Sequence, residues 1–137
     1  MNDKSYMNGE VMESFWVARS LATTAIQELG RTPDRAGAID AMRRGLGRIE
    51  AAGRALEAGD PTQALRDLVE AERAATEAKA LANRHPTAPA PDVPDFSSDL
   101  LDQTCSAVDR VAHRVRNASS RHTSFGAIAT PPSERRP

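Results

Sequence analysis

Cys105, Asp109 and His113 stand at i, i+4 and i+8 in a chain of 137 residues. On a helix this spacing drifts only slowly around the axis, so a thiol, a carboxyl and an imidazole share one face. All three groups can ligate zinc. One helix is a poor source of all three ligands, because i to i+8 spans about 12 Å. The simpler reading makes Cys105 a small buried hydrophobe and Asp109–His113 a surface pair. It carries the expectation here: no metal site, no catalytic residue and no cofactor. Gly45-Leu46-Gly47 lies inside a helical pattern, with no strand before it and no Lys-Ser/Thr after it. The sequence has no nucleophile elbow, no His-Glu-x-x-His and no paired cysteines. An enzyme is not expected.

Arginine is the next group with chemical potential. The chain has sixteen Arg and two Lys, and two clusters are basic: Arg43-Arg44 with Arg48, and Arg110 with Arg114 and Arg121. Each could touch phosphates. Asp40, Glu50 and Glu57 share the first cluster's helix, and Asp102 and Asp109 share the second's. No aromatic residue interleaves with either to stack bases. A solvated face of mixed charge is the default. Residues 110–137 nevertheless hold six Arg against one Glu, a balance of +5, while residues 85–109 hold five acids and no Lys or Arg. That split keeps a nucleic-acid reading in play.

Met12, Phe15 and Trp16, with Tyr6, form the densest aromatic and methionine group. A core placement is the expectation for such a group. Met and Trp are also enriched where proteins dock, which makes Met12 and Trp16 the first interface candidates.

The elements that must carry these residues are helices. Four prolines, Pro86, Pro89, Pro91 and Pro94, lie within nine positions. Proline lacks an amide donor and disfavours helix at the preceding residue, so no helix crosses this stretch. The domain reading is a three-helix body over 1–84, a Pro-rich linker over 85–96, a fourth helix over 97–119 and a flexible basic tail over 120–137. Val11, Phe15, Ala18, Ala22, Ala25 and Leu29 form one stripe of a first helix over about 9–29, closed by Gly30. Thr32-Pro33-Asp34 reads as the start of the second helix, with Thr32 capping it. Its stripe is Ile39, Met42, Leu46, Ile49, Gly53 and Leu56. Gly37, Gly45, Gly47 and Gly53 each cost this helix roughly 1 kcal/mol relative to Ala, and close approach of another helix is the expected compensation. Gly59 stops it. Asp60-Pro61-Thr62-Gln63 caps a third helix whose apolar face thins to Ala71, Ala75, Ala78 and Ala82. Ser97 or Ser98 caps the fourth, with a stripe of Leu101, Thr104, Val108, Val111, Val115 and Ala118. The segment Ala55–Leu65 is similar to the middle of a tetratricopeptide hairpin. That similarity covers one hairpin without a second copy, and a generic αα-hairpin accounts for it equally well.

The expected fold is all-α: an antiparallel three-helix body plus a fourth helix after the linker, closing a four-helix bundle. About 12 linker residues in polyproline geometry reach about 37 Å. A helix of roughly 24 residues spans about 36 Å. The linker is thus long enough to run back along the third helix and set the fourth parallel to it, or to hold the fourth out as an arm. The closed form is the expectation.

Leu, Ile, Val and Phe number 23 against 24 Ala. Buried Ala removes little area from water, so the core is thin and a second chain is expected to supplement it. The net charge is −1, a single Cys excludes an internal disulfide, and no apolar run approaches a membrane span. The first ten residues lack a signal-peptide layout. These features point to the cytoplasm. The Arg and Ala bias suggests GC-rich coding DNA, as in a bacterium, phage or plasmid. The functional expectation is a non-enzymatic helical protein–protein interaction module, an adaptor, assembly component or inhibitor, with a protein partner or a homo-oligomer. Its candidate partner-binding residues are Met12, Trp16, Arg110, Arg114 and Arg121. The alternative is a nucleic-acid-associated regulator using the basic C-terminal helix and tail.

Overall fold

A computed structural model describes residues 8–84 and 96–129, with side chains to residue 120. Four helices follow in order: α1 (Gly9–Leu29), α2 (Ala36–Glu57), α3 (Pro61–Arg84) and α4 (Ser97–Ala129). They pack as an all-α four-helix bundle in which α1 touches α2 and α4, and α3 touches α2 and α4. The four linker prolines, Pro86, Pro89, Pro91 and Pro94, lie outside the described residues, as do Tyr6 and residues 130–137.

Cross-helix contacts fix the direction of each element. Gly45 faces Ala71 and Ala74, and Gly37 faces Leu81, so α2 and α3 run antiparallel. Lys79 bonds Asp102, and Thr76 sits beside Cys105, so α3 and α4 are antiparallel as well. Phe96 donates its amide to Glu28, while Arg114 reaches Glu10. That pairing sets α4 antiparallel to α1. The topology is therefore up-down-up-down. The parallel placement of the fourth helix expected from linker length is corrected: the last residue of α3 and the first residue of α4 lie at the same end of the bundle. Long linkers permit a distant return without requiring one, and antiparallel neighbours bury the stripe on α4 just as well.

Local signals explain most of the boundaries. Asn8 Oδ1 accepts from the Val11 amide at 2.9 Å and opens α1. Gly59 adopts φ 82, Asp60 N donates to Ala55 O at 2.8 Å, and Gly59 N donates to Leu56 O at 3.0 Å. This is a Schellman ending, which needs the left-handed conformation that glycine adopts freely. Asp60 Oδ1 then accepts from the Gln63 amide at 3.0 Å and opens α3.

Three boundaries differ from expectation. Thr32 does not cap α2. Its amide donates to Leu29 O, Asp34 takes φ 66, and the helix begins at Ala36 after Arg35. The chain needs these residues to turn, and the buried Arg35 guanidinium reaches across to Ser97 Oγ at 2.8 Å. Ser97 is the first residue of α4, not the residue before it. At the other end α4 continues to Ala129, ten residues past the expected stop at Ser119, since no Pro or Gly interrupts it before Gly126.

The core combines a few large side chains with many alanines. Leu29, Met42, Ile49, Leu56, Leu68, Leu101, Val108, Val111 and Val115 are fully buried. Each such aliphatic side chain contributes roughly 1.5–3 kcal/mol. Between α2 and α3 the packing is closest. A Cβ at Gly45 would stand 3.2 Å from Ala74 Cβ and 3.4 Å from Ala71 O, so glycine there does allow close approach. Gly47 meets nothing within 4 Å, and its helix cost has no such return.

Candidate partner-binding surface

Phe15 packs between α1 and α2. It is half-buried, and its ring lies 3.9 Å from the position a Cβ would take on Gly53. Ser14, not Phe15, occupies the fully buried position, with its hydroxyl bonded to Glu10 O. This small rotation swings Trp16 and Met12 outward. Trp16 is 62% exposed and Met12 57%, so the expected core placement of this group is corrected. The absence of a side chain at Gly53 leaves a hollow opposite Trp16. The result is an open groove of ≈ 510 Å³ between α1 and α2. Met12, Phe15 and Trp16 form one wall; Gly53 and Ile49 form the other.

The groove has a charged rim. Arg19 stands on α1, and Glu50, Arg54 and Glu57 stand on α2. Among the described residues none of these four makes an ion pair. An apolar centre with a polar border is the anatomy of a docking surface. The other exposed large apolar residues, Val69 and Phe96, stand apart, and single exposed apolar residues are ordinary.

The arginines sort differently. Arg44 pairs with Glu77 at 3.2 Å, Arg48 with Asp67 at 3.0 Å and Arg73 with Glu70 at 3.1 Å. Arg44, Arg48, Glu70, Arg73 and Glu77 line a second groove, of ≈ 550 Å³, between α2 and α3. Its cations already face acids, while Arg43 is exposed. On α4, Arg114 is half-buried and donates to Ser14 Oγ at 2.5 Å and to Glu10 O at 3.0 Å. It ties α4 to α1, with Arg110 exposed beside it in a small cleft. The Arg121 side chain lies outside the described ones. Met12 and Trp16 are thus brought together, while Arg110 and Arg114 sit against the α4 side of α1.

Cys105 is half-buried, its Sγ 3.8 Å from Thr76 Oγ1. Burial pushes its thiol above the ordinary range, with the contact to Thr76 opposing. Lys79 bonds Asp102 Oδ1 at 2.5 Å, and that bond and the charge of Asp102 hold the ammonium above the usual lysine range. Asp109 and His113 are exposed and make no ion pair with each other. Among the described residues, no group of three His, Cys, Asp or Glu is placed to hold a metal ion, and no helix is long and apolar enough to cross a membrane.

Sequence reasoning found the α1 wall of the groove and missed the α2 wall. Glu50, Gly53, Arg54 and Glu57 become neighbours of Trp16 only once the rotation of α2 is known. Gly53, a residue without a side chain in a helix interior, was the signal available. Protein-family models, curated proteins and solved structures provide no match to this chain.

Proposed function

We propose that this chain is a non-enzymatic helical protein–protein interaction module of the cytoplasm, which docks a protein through the α1–α2 groove. The observation that carries this reading is the exposure of Trp16 beside Met12 over a half-buried Phe15. Tryptophan is the residue most enriched among docking hot spots, and holding it in water without a partner wastes apolar area. The pairing of Arg44, Arg48 and Arg73 with acids, and of Arg114 with α1, takes four arginines away from a phosphate-binding role.

The test is affinity capture from native host extract, with nuclease present, using the full chain and its Trp16→Glu variant. Specific capture by the wild type that the variant loses, and that tolerates raised salt, supports the reading. Capture unchanged in the variant overturns it. Binding that nuclease removes, or that weakens steeply with salt, assigns the chain to nucleic acid through counterion release.

A further inference from the structure

The α1–α2 groove is complementary to itself. Trp16 projects from α1, and the hollow at Gly53 lies on α2 at the same level, since Phe15 packs beside Gly53. One turn further along, again at one level, Arg19 stands on α1 and Glu50 on α2. A two-fold axis parallel to the helices sets α1 of one copy opposite α2 of another and keeps these levels. It therefore places each Trp16 over the Gly53 hollow of the second copy and each Arg19 opposite the second copy's Glu50. Both matches occur twice, as an isologous interface requires. The rim carries two cations and two anions, so two copies meet without net repulsion.

We propose that the occupant of this groove is a second copy of the same chain, giving a two-fold dimer centred on Trp16. The proposal rests on the docking reading of the groove and names its partner. Size agrees: α1 has 21 residues and α2 has 22. Two adjacent helices about 32 Å long and about 9 Å apart present a face of several hundred Å², close to the roughly 800 Å² per partner of a stable interface. Arg54, beside Gly53 on the rim, comes over the indole of the second copy, where a guanidinium gains a cation–π contact.

Sedimentation velocity and light scattering on the full chain test this. The expected result is a particle of twice the 14.7 kDa chain mass at micromolar concentration. Gly53→Leu puts a side chain into the groove, its Cβ in ordinary van der Waals contact with the Phe15 ring at 3.9 Å, and is expected to weaken dimerisation at least tenfold. Charge exchange is the diagnostic arm. Arg19→Glu alone and Glu50→Arg alone each place like charges across the interface twice, and each variant should be mainly monomeric. Mixed together they should form a heterodimer, since every cross-contact again joins Glu to Arg. Circular dichroism confirms that each variant remains helical. A monomeric wild type across the micromolar range overturns the proposal, as does a dimer that Gly53→Leu leaves intact. Variants that fail to complement on mixing overturn the assigned pairing and with it the proposed two-fold. A monomeric wild type whose capture of another protein still depends on Trp16 ends the dimer proposal and leaves the docking reading standing.

Discussion

Arg48 Nη1 donates to Asp67 Oδ1 at 3.0 Å, joining an exposed guanidinium on α2 to a carboxylate on α3 that is 4% exposed. Gln63 Nε2 stands 3.4 Å from the same oxygen. The pair shows how α3 keeps a charge in a buried face: the cation comes from the neighbouring helix and stays wet at its outer end.

Arg48→Ala should therefore destabilise the bundle by about 1–3 kcal/mol, because it leaves a buried carboxylate short of a donor. Arg48→Ala combined with Asp67→Ala should cost less than the two single losses added together. Chemical denaturation of the three variants measures this directly. Additive losses would mean that Arg48 contributes nothing through Asp67.

The glycines of α2 should respond in opposite directions. Gly45→Leu drives a side chain into Ala74 and the Ala71 carbonyl, and should destabilise by roughly 1–3 kcal/mol. Gly47→Ala meets nothing within 4 Å, and should stabilise by about 0.5–1 kcal/mol through helix propensity alone. Paired thermal melts reveal the signs.

Removing α4 should be severe. Leu101, Val108, Val111 and Val115 are fully buried against α1 and α3, and each is worth roughly 1.5–3 kcal/mol. A chain ending at Arg84 is expected to lose its cooperative melt. The milder Leu101→Ala should cost about 2–5 kcal/mol. A fragment 1–84 that melts like the full chain would contradict this packing.

Cys105 should react slowly with thiol reagents, and its labelling rate should rise at a higher pH than that of a short peptide thiol. Burial raises its folded-state pKa, so the neutral thiol favours the folded chain. That contribution is whole below the unfolded thiol's range and is lost as pH rises through the folded value. The wild-type melting temperature should accordingly fall more steeply on the alkaline side than that of Cys105→Ala. Equal slopes would count against burial as the cause.

The helices were legible largely from stripes and local punctuation, which failed at the start of α2 and at the end of α4. The Asp60-Pro61 start and the Gly59 stop need no tertiary information, and the stripe on α1 indicated its limits at 9–29. What depended on the neighbours was not legible. Of the heptad stripe of α2, Met42, Ile49 and Leu56 are buried as expected, but Ile39, Leu46 and Gly53 are only half-buried, and Ala38, Ala41, Gly45 and Ala52 take the remaining buried positions. With alanine on several faces, composition alone leaves the helix free to rotate, and the close contact with α3 decides. The same small rotation on α1 exchanges Ser14 for Phe15 in the core and puts Trp16 in water. Direction failed for a related reason: linker length sets a reach, not a heading, so nothing local told α4 to run against α3.

The α1–α4 seam also sets a timetable. Arg114 and Glu10 are 104 residues apart in sequence, whereas the α2–α3 hairpin closes across three residues. Contacts so local form within microseconds, while the distant seam must wait for its second strand of contacts to exist. On the ribosome, α1 emerges before α4, and its α4-facing side remains bare until α4 follows. At about 5–20 residues per second that interval lasts roughly 5–20 s, long enough for a nascent chain to meet chaperones before it can finish its own core.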